Sequence, residues 1–325
     1  MSKTTTLQIG NLKLNSNLIL APMAGITDLP FRLLNRRFGC ELAFIEMLNV
    51  RSVSYKSRKT QEMLSSVPED RPLGVQILGR EPKFILRALE VLAPHKFDCI
   101  DFNAACPVKK VIRRGEGAAL LQEPRKLKAL LKCIVQNSLA PVTVKIRSGW
   151  DDRSVNAIDA GLYAEEAGVK ALFLHGRTRA QGHSGSVDYA LIRKVRQALK
   201  IPVIASGDIL CASLVKRMLD ETGCAGVAIA RGVLGNPWIF QEVKKFLEEG
   251  AVLLKPSREE IIQVMVEHFK SYVDFFGERI AIIKFRKFFG WYVRGWRRVR
   301  PLREKTSRVK KEQELMEIIQ LTKAL

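Results

Sequence analysis

The chain has no pair of cysteines spaced as C-x-x-C, although its 325 residues include six cysteines. Zinc knuckles and redox dithiols depend on such spacing, so neither is expected and no metal site is predicted. There is also no uninterrupted apolar run near the roughly 20 residues that a membrane helix needs. Residues 1–20 lack the basic start, apolar block and small-residue cleavage site of an export signal. We therefore expect a cytoplasmic protein with no membrane partner.

Acidic residues are scarce relative to basic ones. The 33 Asp and Glu stand against 54 Lys and Arg, which gives a formal net charge of +21. Such an excess favours a polyanionic partner, and nucleic acid is preferred over an anionic membrane because no basic amphipathic helix of the required kind is present. The length fits one barrel-sized domain with an appendage.

Short apolar runs rich in β-branched residues recur along the chain, each followed by a pattern with helical spacing. They lie at 18–25, 42–47, 72–79, 99–105, 141–149, 171–177, 202–208 and 226–232. Eight strand-helix units predict an α/β fold, the (β/α)8 TIM barrel. The rival is an open doubly wound sheet, but no G-x-G-x-x-G follows the first strand. From about residue 250 the pattern becomes helical, so we predict a barrel domain over 1–248 and an all-helical domain over 249–325.

Strand side chains alternate between the lumen of a barrel and its helix layer, so polar residues can be sorted by position. On this basis Gln76, Asn103, Lys145 and His175 point inward, because their sequence neighbours are apolar. Any one of them could equally be a core polar group whose hydrogen bonds are satisfied within the protein. Four together predict a polar ligand at the carboxyl ends of the strands, where such barrels hold their active sites.

Cys106 follows the fourth predicted strand and precedes a basic, glycine-containing loop. A thiol at that place can act as a nucleophile or a proton donor if its surroundings tune it. The alternative is a cysteine that only fills space.

The loops after the last two predicted strands have the composition of a phosphate site. Ser206, Gly207 and Asp208 follow strand seven, and Arg231 with Gly232 follows strand eight. Backbone N–H groups at glycine turns beside an arginine can hold a phosphate, although many such turns only reverse the chain. The pair of loops predicts a phosphorylated cofactor.

Residues 284–311 carry twelve Lys or Arg and one acidic residue, with aromatic side chains between them. Basic groups can neutralise phosphates while aromatics stack on bases, but aromatics at helical spacing more often pack in a core. We predict core packing for most of the aromatics and phosphate contact for the charges.

Six segments together resemble the tRNA-dihydrouridine synthases, and the bacterial B-type branch most of all. They are APMAGITDLPFR (21–32), NAACPVKKVIRRGEGAALL (103–121), VKIRSGW (144–150), HGRTRAQGHSG (175–185), ASGDI (205–209) and ARGVLGNPWIF (230–240), and KFRKFFGWYVRG (284–295) extends the likeness. The resemblance implies an FMN-binding barrel and a helical tRNA-binding domain. It also implies NADPH-driven reduction of the C5–C6 bond of one tRNA uridine, in the D-loop for this branch.

The resemblance also assigns roles to individual residues. Cys106 becomes the catalytic proton donor. FMN would be bound by Pro22, Met23, Ala24, Gln76, Lys145, His175, Ser206, Gly207, Asp208, Ala230 and Arg231. The tRNA would contact Asn103, Arg177, Lys109 and Arg113. The chain departs from the family pattern at Ala105, Glu116, Ser206 and Ala230.

Other readings of the sequence remain open. One is an FMN barrel that oxidises or reduces a small molecule, similar to a dihydroorotate dehydrogenase, but a small substrate does not require so basic a chain. A second is an RNA-binding barrel without catalysis, and a third is a phosphate-binding lyase or isomerase, which leaves Cys106 without a role. We expect a monomer.

Overall fold

The structure, a computed structural model, describes residues 6–324. Residues 1–5 of the predicted barrel unit and Leu325 of the helical unit lie outside the described part. Within it the strands are β1 (Leu7–Ile9), β2 (Leu12–Leu14), β3 (Leu18–Leu20), β4 (Leu42–Phe44), β5 (Leu48–Asn49), β6 (Leu73–Leu78), β7 (Cys99–Ala104), β8 (Val142–Arg147), β9 (Ala171–His175), β10 (Val203–Ser206) and β11 (Gly226–Ile229).

Within the described residues, helices surround the strands, and further helices follow the last strand. They are α1 (Leu29–Arg37), α2 (Val50–Ser54), α3 (Arg58–Met63), α4 (Pro82–Leu92), α5 (Lys109–Ile112), α6 (Pro124–Asn137), α7 (Ala157–Glu166), α8 (Tyr189–Ala198), α9 (Ala212–Thr222), α10 (Ile239–Glu249), α11 (Arg258–Phe276), α12 (Glu278–Tyr292), α13 (Arg300–Thr306) and α14 (Glu312–Leu321). Short 3-10 turns lie at Ala93–His95, Gly117–Gln122, Arg231–Val233 and Thr322–Ala324.

The strands close into a parallel barrel. Strands β3, β4 and β6 to β11 pair in the order β4-β3-β11-β10-β9-β8-β7-β6, and β4 pairs with β6 to complete the ring. Strand β5 adds a short extension beside β6. The prediction of an α/β TIM barrel is confirmed, with a strand inside each of the eight predicted apolar runs.

Alternation along the strands divides the apolar residues into two sets. Val75 and Ile77 belong to the core that packs against the surrounding helices. Phe44, Phe173 and Ile204 belong to a second core inside the lumen. Because successive side chains point to opposite faces, the polar residues between members of the first set face the lumen, as predicted.

A hairpin of β1 and β2 closes the amino-terminal end of the barrel, and it was not predicted. Leu7, Ile9 and Leu14 pack with the lumen core. Each of its strands spans three residues, too short for a periodic pattern, and Gly10 makes the turn at φ 62°.

Several predicted strands include the loop that follows them. The run 18–25 contains strand only over Leu18–Leu20. The carbonyl of Met23 accepts hydrogen bonds from the N–H groups of Ile26 and Thr27, so the chain turns there instead of extending. These loops lie at the carboxyl end of the barrel and supply much of the site.

Helices follow residue 250, as predicted. Helix α11 begins at a capping box formed by Ser257 and Glu260. Phe285 and Phe288 of α12 are buried, and the Phe288 ring lies 5.6 Å from that of Phe31 on α1. The helical region thus shares a continuous core with the barrel, and the division at 248 stays a prediction. Among residues 6–324, no helix has the length and apolar character to cross a bilayer.

Candidate active site

A cavity of about 390 Å³ opens at the carboxyl ends of the barrel strands. Its volume lies within the usual range for small-molecule and cofactor sites. The predicted residues that line it are Pro22, Met23, Ala24, Gln76, Asn103, Cys106, Lys145, His175, Ser206, Gly207, Asp208, Ala230 and Arg231. The structure therefore brings together the whole set assigned to the cofactor, with the thiol at the same cavity. Their individual roles stay predictions.

Lys145 occupies the inner wall of the cavity. Its ammonium donates to the Ser206 hydroxyl at 2.8 Å across the lumen. Burial lowers the pKa of Lys145 to about 8, although the Asp101 carboxylate favours the charged form. At neutral pH this side chain is a partly buried cation that faces the cavity, and the polar or anionic edge of a ligand would satisfy it.

His175 is neutral. Burial lowers its pKa to about 2, and the nearby cations Lys145 and Arg147 act in the same direction. The neutral ring can therefore donate one hydrogen bond and accept another, but it carries no charge. The positive charge of this part of the cavity comes from Lys145 and Arg147.

Cys106 lies in a loop held by backbone hydrogen bonds. The N–H groups of Ala105 and Cys106 donate to Oδ1 of Asn103 at 3.0 and 2.8 Å. The carbonyl of Cys106 accepts from the Ala118 N–H at 3.1 Å. Partial burial raises the pKa of the Cys106 thiol, so it is protonated at neutral pH. The arrangement suits a proton donor better than a thiolate nucleophile.

The neighbouring loop approaches Cys106 closely. Gly117 has φ 61°, and a Cβ there would come within 2.8 Å of the Cys106 carbonyl oxygen, so a side chain would displace the loop. Glu116, one of the departures from the family pattern, is buried and accepts from Asn49 Nδ2 at 3.2 Å and from Arg114 Nε at 3.1 Å. The carboxylate thus anchors the basic loop beside the thiol.

An acidic residue sits between two arginines at the outer end of the cavity. Asp208, at φ 50°, accepts from Arg231 Nη2 at 2.7 Å and from both terminal nitrogens of Arg177. These arginines hold the pKa of Asp208 below its usual range. Since the Arg231 side chain is 47% exposed, it retains donors for a further anion.

The loop of Pro22 and Met23 forms one side of the cavity and is held by contacts with both the barrel and the helical region. The Gly25 N–H donates to the Glu46 carboxylate, while the Gly25 carbonyl accepts from the Lys287 ammonium. A few residues further on, Asp28 caps α1 by accepting from the Phe31 N–H.

The Asp28 carboxylate also joins the loop to α11 and α12. It accepts from the Tyr272 hydroxyl at 2.6 Å and lies 3.3 Å from the Lys284 ammonium. Lys284 and Lys287 therefore make contacts within the protein, and their contact with phosphates stays a prediction. Attachment of these helices shapes the wall of the cavity.

Three predicted tRNA contacts lie outside the cavity lining. Arg177 is buried, and its donors go to the carbonyls of Ser184 and Gly185 and to Asp208, so it holds a loop, and its contact with tRNA stays a prediction. Lys109 and Arg113 lie exposed on and just after α5, next to the cysteine loop.

Three polar residues of the site were missed. Arg147 lines the cavity and donates to the carbonyls of Ala105 at 2.9 Å and Gly182 at 2.8 Å, which links two loops. Asp101 is buried in the lumen, and His183 lies near His175 with 6.0 Å between ring centroids. The first two are two residues from Lys145 and Asn103 on the same strand faces, so the alternation could have identified them. His183 sits in a loop without such a signal.

The part of the chain that the structure describes contains no group of three or more His, Cys, Asp or Glu side chains placed to hold a metal ion.

Comparison with known proteins agrees with the geometry. The family model described as dihydrouridine synthase (Dus) matches residues 19–325. A probable tRNA-dihydrouridine synthase of Rickettsia bellii is 38% identical over 290 residues, which cover 89% of this chain and 89% of the relative. The tRNA-dihydrouridine synthase B of Vibrio parahaemolyticus is 38% identical over 288 residues and covers the same shares of both chains, 89% and 89%.

The fold also has a counterpart among solved structures. Morphinone reductase superimposes with a TM-score of 0.58 at 15% identity, covering 80% of this chain and 92% of the other. At that identity the likeness concerns the barrel alone. The family match spans nearly the whole chain, and the two relatives match it over most of its length. The chain belongs to the dihydrouridine synthase family of oxidoreductases, among its B-type members.

Proposed function

We propose that this protein is an FMN-dependent tRNA-dihydrouridine synthase that reduces the C5–C6 bond of one D-loop uridine, with NADPH as reductant and Cys106 as proton donor. The observation that carries the proposal is a protonated thiol at the mouth of the cavity lined by Lys145, Gln76 and His175. The reaction needs an acid on one side of the uracil ring and a hydride source on the other, and the cavity holds the thiol beside the residues assigned to the flavin.

The donor set of the cavity fits a flavin phosphate. Lys145 and His175 present one cation and one neutral imidazole at the inner wall, matching a polar ring edge. Met23 and Ala24 supply an apolar side, and Arg231 with the Gly207 turn offers donors for a phosphate at the outer end. When bound in its reduced form, FMN supplies the hydride for C6 of the uracil after reduction by NADPH.

The Cys106 thiol supplies the proton for C5. Because burial raises its pKa, the S–H form predominates at neutral pH and can donate without a metal. Loss of the proton leaves a thiolate, and Arg147 is the nearby cation that favours this charged form. The bonds to Asn103 hold the loop so that the thiol keeps its place at the cavity.

Basic surfaces on two sides of the chain support tRNA as the partner. Lys109 and Arg113 are exposed beside the cysteine loop. In the helical region, a cleft of about 880 Å³ is lined by Arg294, Arg300 and Arg303 among others. Swinging a uridine out of the folded tRNA costs a few kcal/mol, and phosphate contacts at such surfaces would offset that cost.

The test compares the purified protein with Cys106→Ala and with Cys211→Ala, a matched control at an exposed thiol. We expect all three proteins to retain FMN, with absorbance near about 450 nm. NADPH consumption should depend on unmodified tRNA. Cys106→Ala should lose most of it, whereas Cys211→Ala should consume NADPH as the parent protein does.

Three results would contradict the proposal. Full turnover by Cys106→Ala would remove the thiol from the reaction. NADPH consumption that does not require tRNA would instead indicate a small-molecule substrate, and a colourless protein that still binds tRNA would indicate an RNA-binding barrel. The cytoplasmic location and the monomeric state stay predictions.

A further inference from the structure

A chain of side-chain hydrogen bonds runs through the lumen from a buried carboxylate to the Cys106 loop. Gln76 Nε2 donates to Asp101 Oδ2 at 2.7 Å, and Asn103 Nδ2 donates to Gln76 Oε1 at 2.8 Å. Asn103 Oδ1 then accepts the N–H groups of Ala105 and Cys106. Asp101, Gln76 and Asn103 are all buried.

Both ends of this chain set the same direction of donation. A backbone N–H can only donate, so the oxygen of Asn103 must face the loop and its NH₂ must face Gln76. A carboxylate can only accept, so the NH₂ of Gln76 must face Asp101 and its oxygen must face Asn103. The orientations of both amides follow from their partners alone.

We propose that Asp101 is a positioning residue, which fixes the orientation of Gln76 and Asn103 and thereby the geometry of the Cys106 loop. The proposal deepens the proposed function and rests on it for the role of Cys106. Asp101 does not itself line the cavity and has no hydrogen bond to Cys106, so its effect on the Cys106 loop passes through Gln76 and Asn103.

The surroundings of Asp101 hold it in this role. Its second oxygen accepts from the Thr143 hydroxyl at 2.7 Å, which keeps the first oxygen directed at Gln76. Burial raises the pKa of Asp101 to about 6, while Lys145 favours the charged form, so the group is an acceptor at neutral pH.

Reversing the chain of donors provides the test. In Asn103→Asp, Gln76 meets a carboxylate at each end but has a single NH₂ to offer. Hydrogen–deuterium exchange of the 104–108 loop should become about fivefold faster, the factor for losing roughly one net hydrogen bond. Exchange in α9, on another part of the barrel, should not change.

The double variant Asp101→Asn with Asn103→Asp should restore the slow exchange. The new amide at position 101 keeps its oxygen on Thr143 and donates to a flipped Gln76, which donates in turn to the new carboxylate at position 103. Loop exchange should return to within about twofold of the parent protein. If Asn103→Asp alone does not fold, recovery of folding in the double variant is the same result.

Gln76→Met separates this mechanism from simple repulsion between two carboxylates. With methionine at position 76 the amide connection is cut, so Asp101→Asn should no longer rescue Asn103→Asp. Two results would overturn the proposal. One is that Asp101→Asn still rescues Asn103→Asp when position 76 is methionine. The other is that the double variant exchanges as fast as Asn103→Asp, or fails to fold as Asn103→Asp does. Exchange requires no tRNA and no turnover, so failure here is distinguishable from failure of the proposed function.

Discussion

The hydroxyl of Tyr272 is the point at which removing one oxygen atom should loosen the wall of the cavity. Tyr272→Phe deletes the 2.6 Å hydrogen bond to Asp28, a carboxylate that also caps α1. The aromatic ring, which packs 5.2 Å from Phe288, is retained. Asp28 keeps its contacts with the Phe31 N–H and Lys284, so the loss concerns one donor to a buried acceptor.

The size of the effect follows from the kind of bond. A hydrogen bond to a charged group contributes about 2 kcal/mol to the free energy of unfolding. At about 2.1 cal/mol/K per residue, the entropy of unfolding of this chain is about 0.7 kcal/mol/K. The unfolding midpoint should therefore fall by about 3 °C near neutral pH.

The loss should also depend on pH. Burial raises the pKa of Asp28 above its ordinary value and the Tyr272 hydroxyl lowers it, so the variant should raise this pKa further. When the pKa of a carboxyl is higher in the folded state than in the unfolded state, the folded state binds the proton more tightly. The free energy of unfolding therefore rises as the pH falls through that pKa. The difference in midpoint between variant and parent should narrow on acidification.

The assay is thermal unfolding, followed by circular dichroism, from about pH 8 to about pH 5. Tyr292→Phe is the matched control, since its hydroxyl bonds at 3.0 Å to His268, whose pKa burial lowers to about 3. Because that hydrogen bond is to a neutral group, Tyr292→Phe should lower the unfolding midpoint by less, and by the same amount at every pH in this range. The reasoning would be refuted if Tyr272→Phe lowered the unfolding midpoint no more than Tyr292→Phe does, and by the same amount at every pH.

Three further predictions concern the ligands. FMN affinity, measured by fluorescence titration, should weaken as the pH rises through about 8 because Lys145 loses its charge, and Lys145→Met should abolish this dependence; an unchanged profile would contradict it. Arg231→Ala should weaken FMN binding about tenfold and spare riboflavin, which lacks the phosphate; equal losses for both ligands would refute a phosphate contact. Arg303→Ala should reduce the slope of log Kd for tRNA against log salt by about 0.7 to 0.9, and an unaltered slope would place Arg303 away from the phosphates.

Much of the site could be predicted because strand geometry is simple. Once the eight strands are recognised, alternation alone directs Gln76, Asn103 and Lys145 into the lumen. The same reasoning applied one step further would have found Asp101 and Arg147. The barrel was predictable because its apolar runs recur with helical patterns between them.

What could not be predicted depends on contacts between segments distant in sequence. The link between Asp28 and Tyr272 joins residues 244 positions apart, and no local pattern signals it. Lys284 and Lys287 read as solvent-facing charges in sequence, yet their ammonium groups bond to the loop of Gly25 and Asp28. Tertiary packing decides which charges of a basic segment remain free.

The most direct test is to map dihydrouridine across the tRNA of cells that lack this gene. One uridine position in the D-loop should lose its modification, the parent gene should restore it, and Cys106→Ala should not. An unchanged dihydrouridine pattern in the deleted cells, or full restoration by Cys106→Ala, would contradict reduction of tRNA with the Cys106 thiol as the acid.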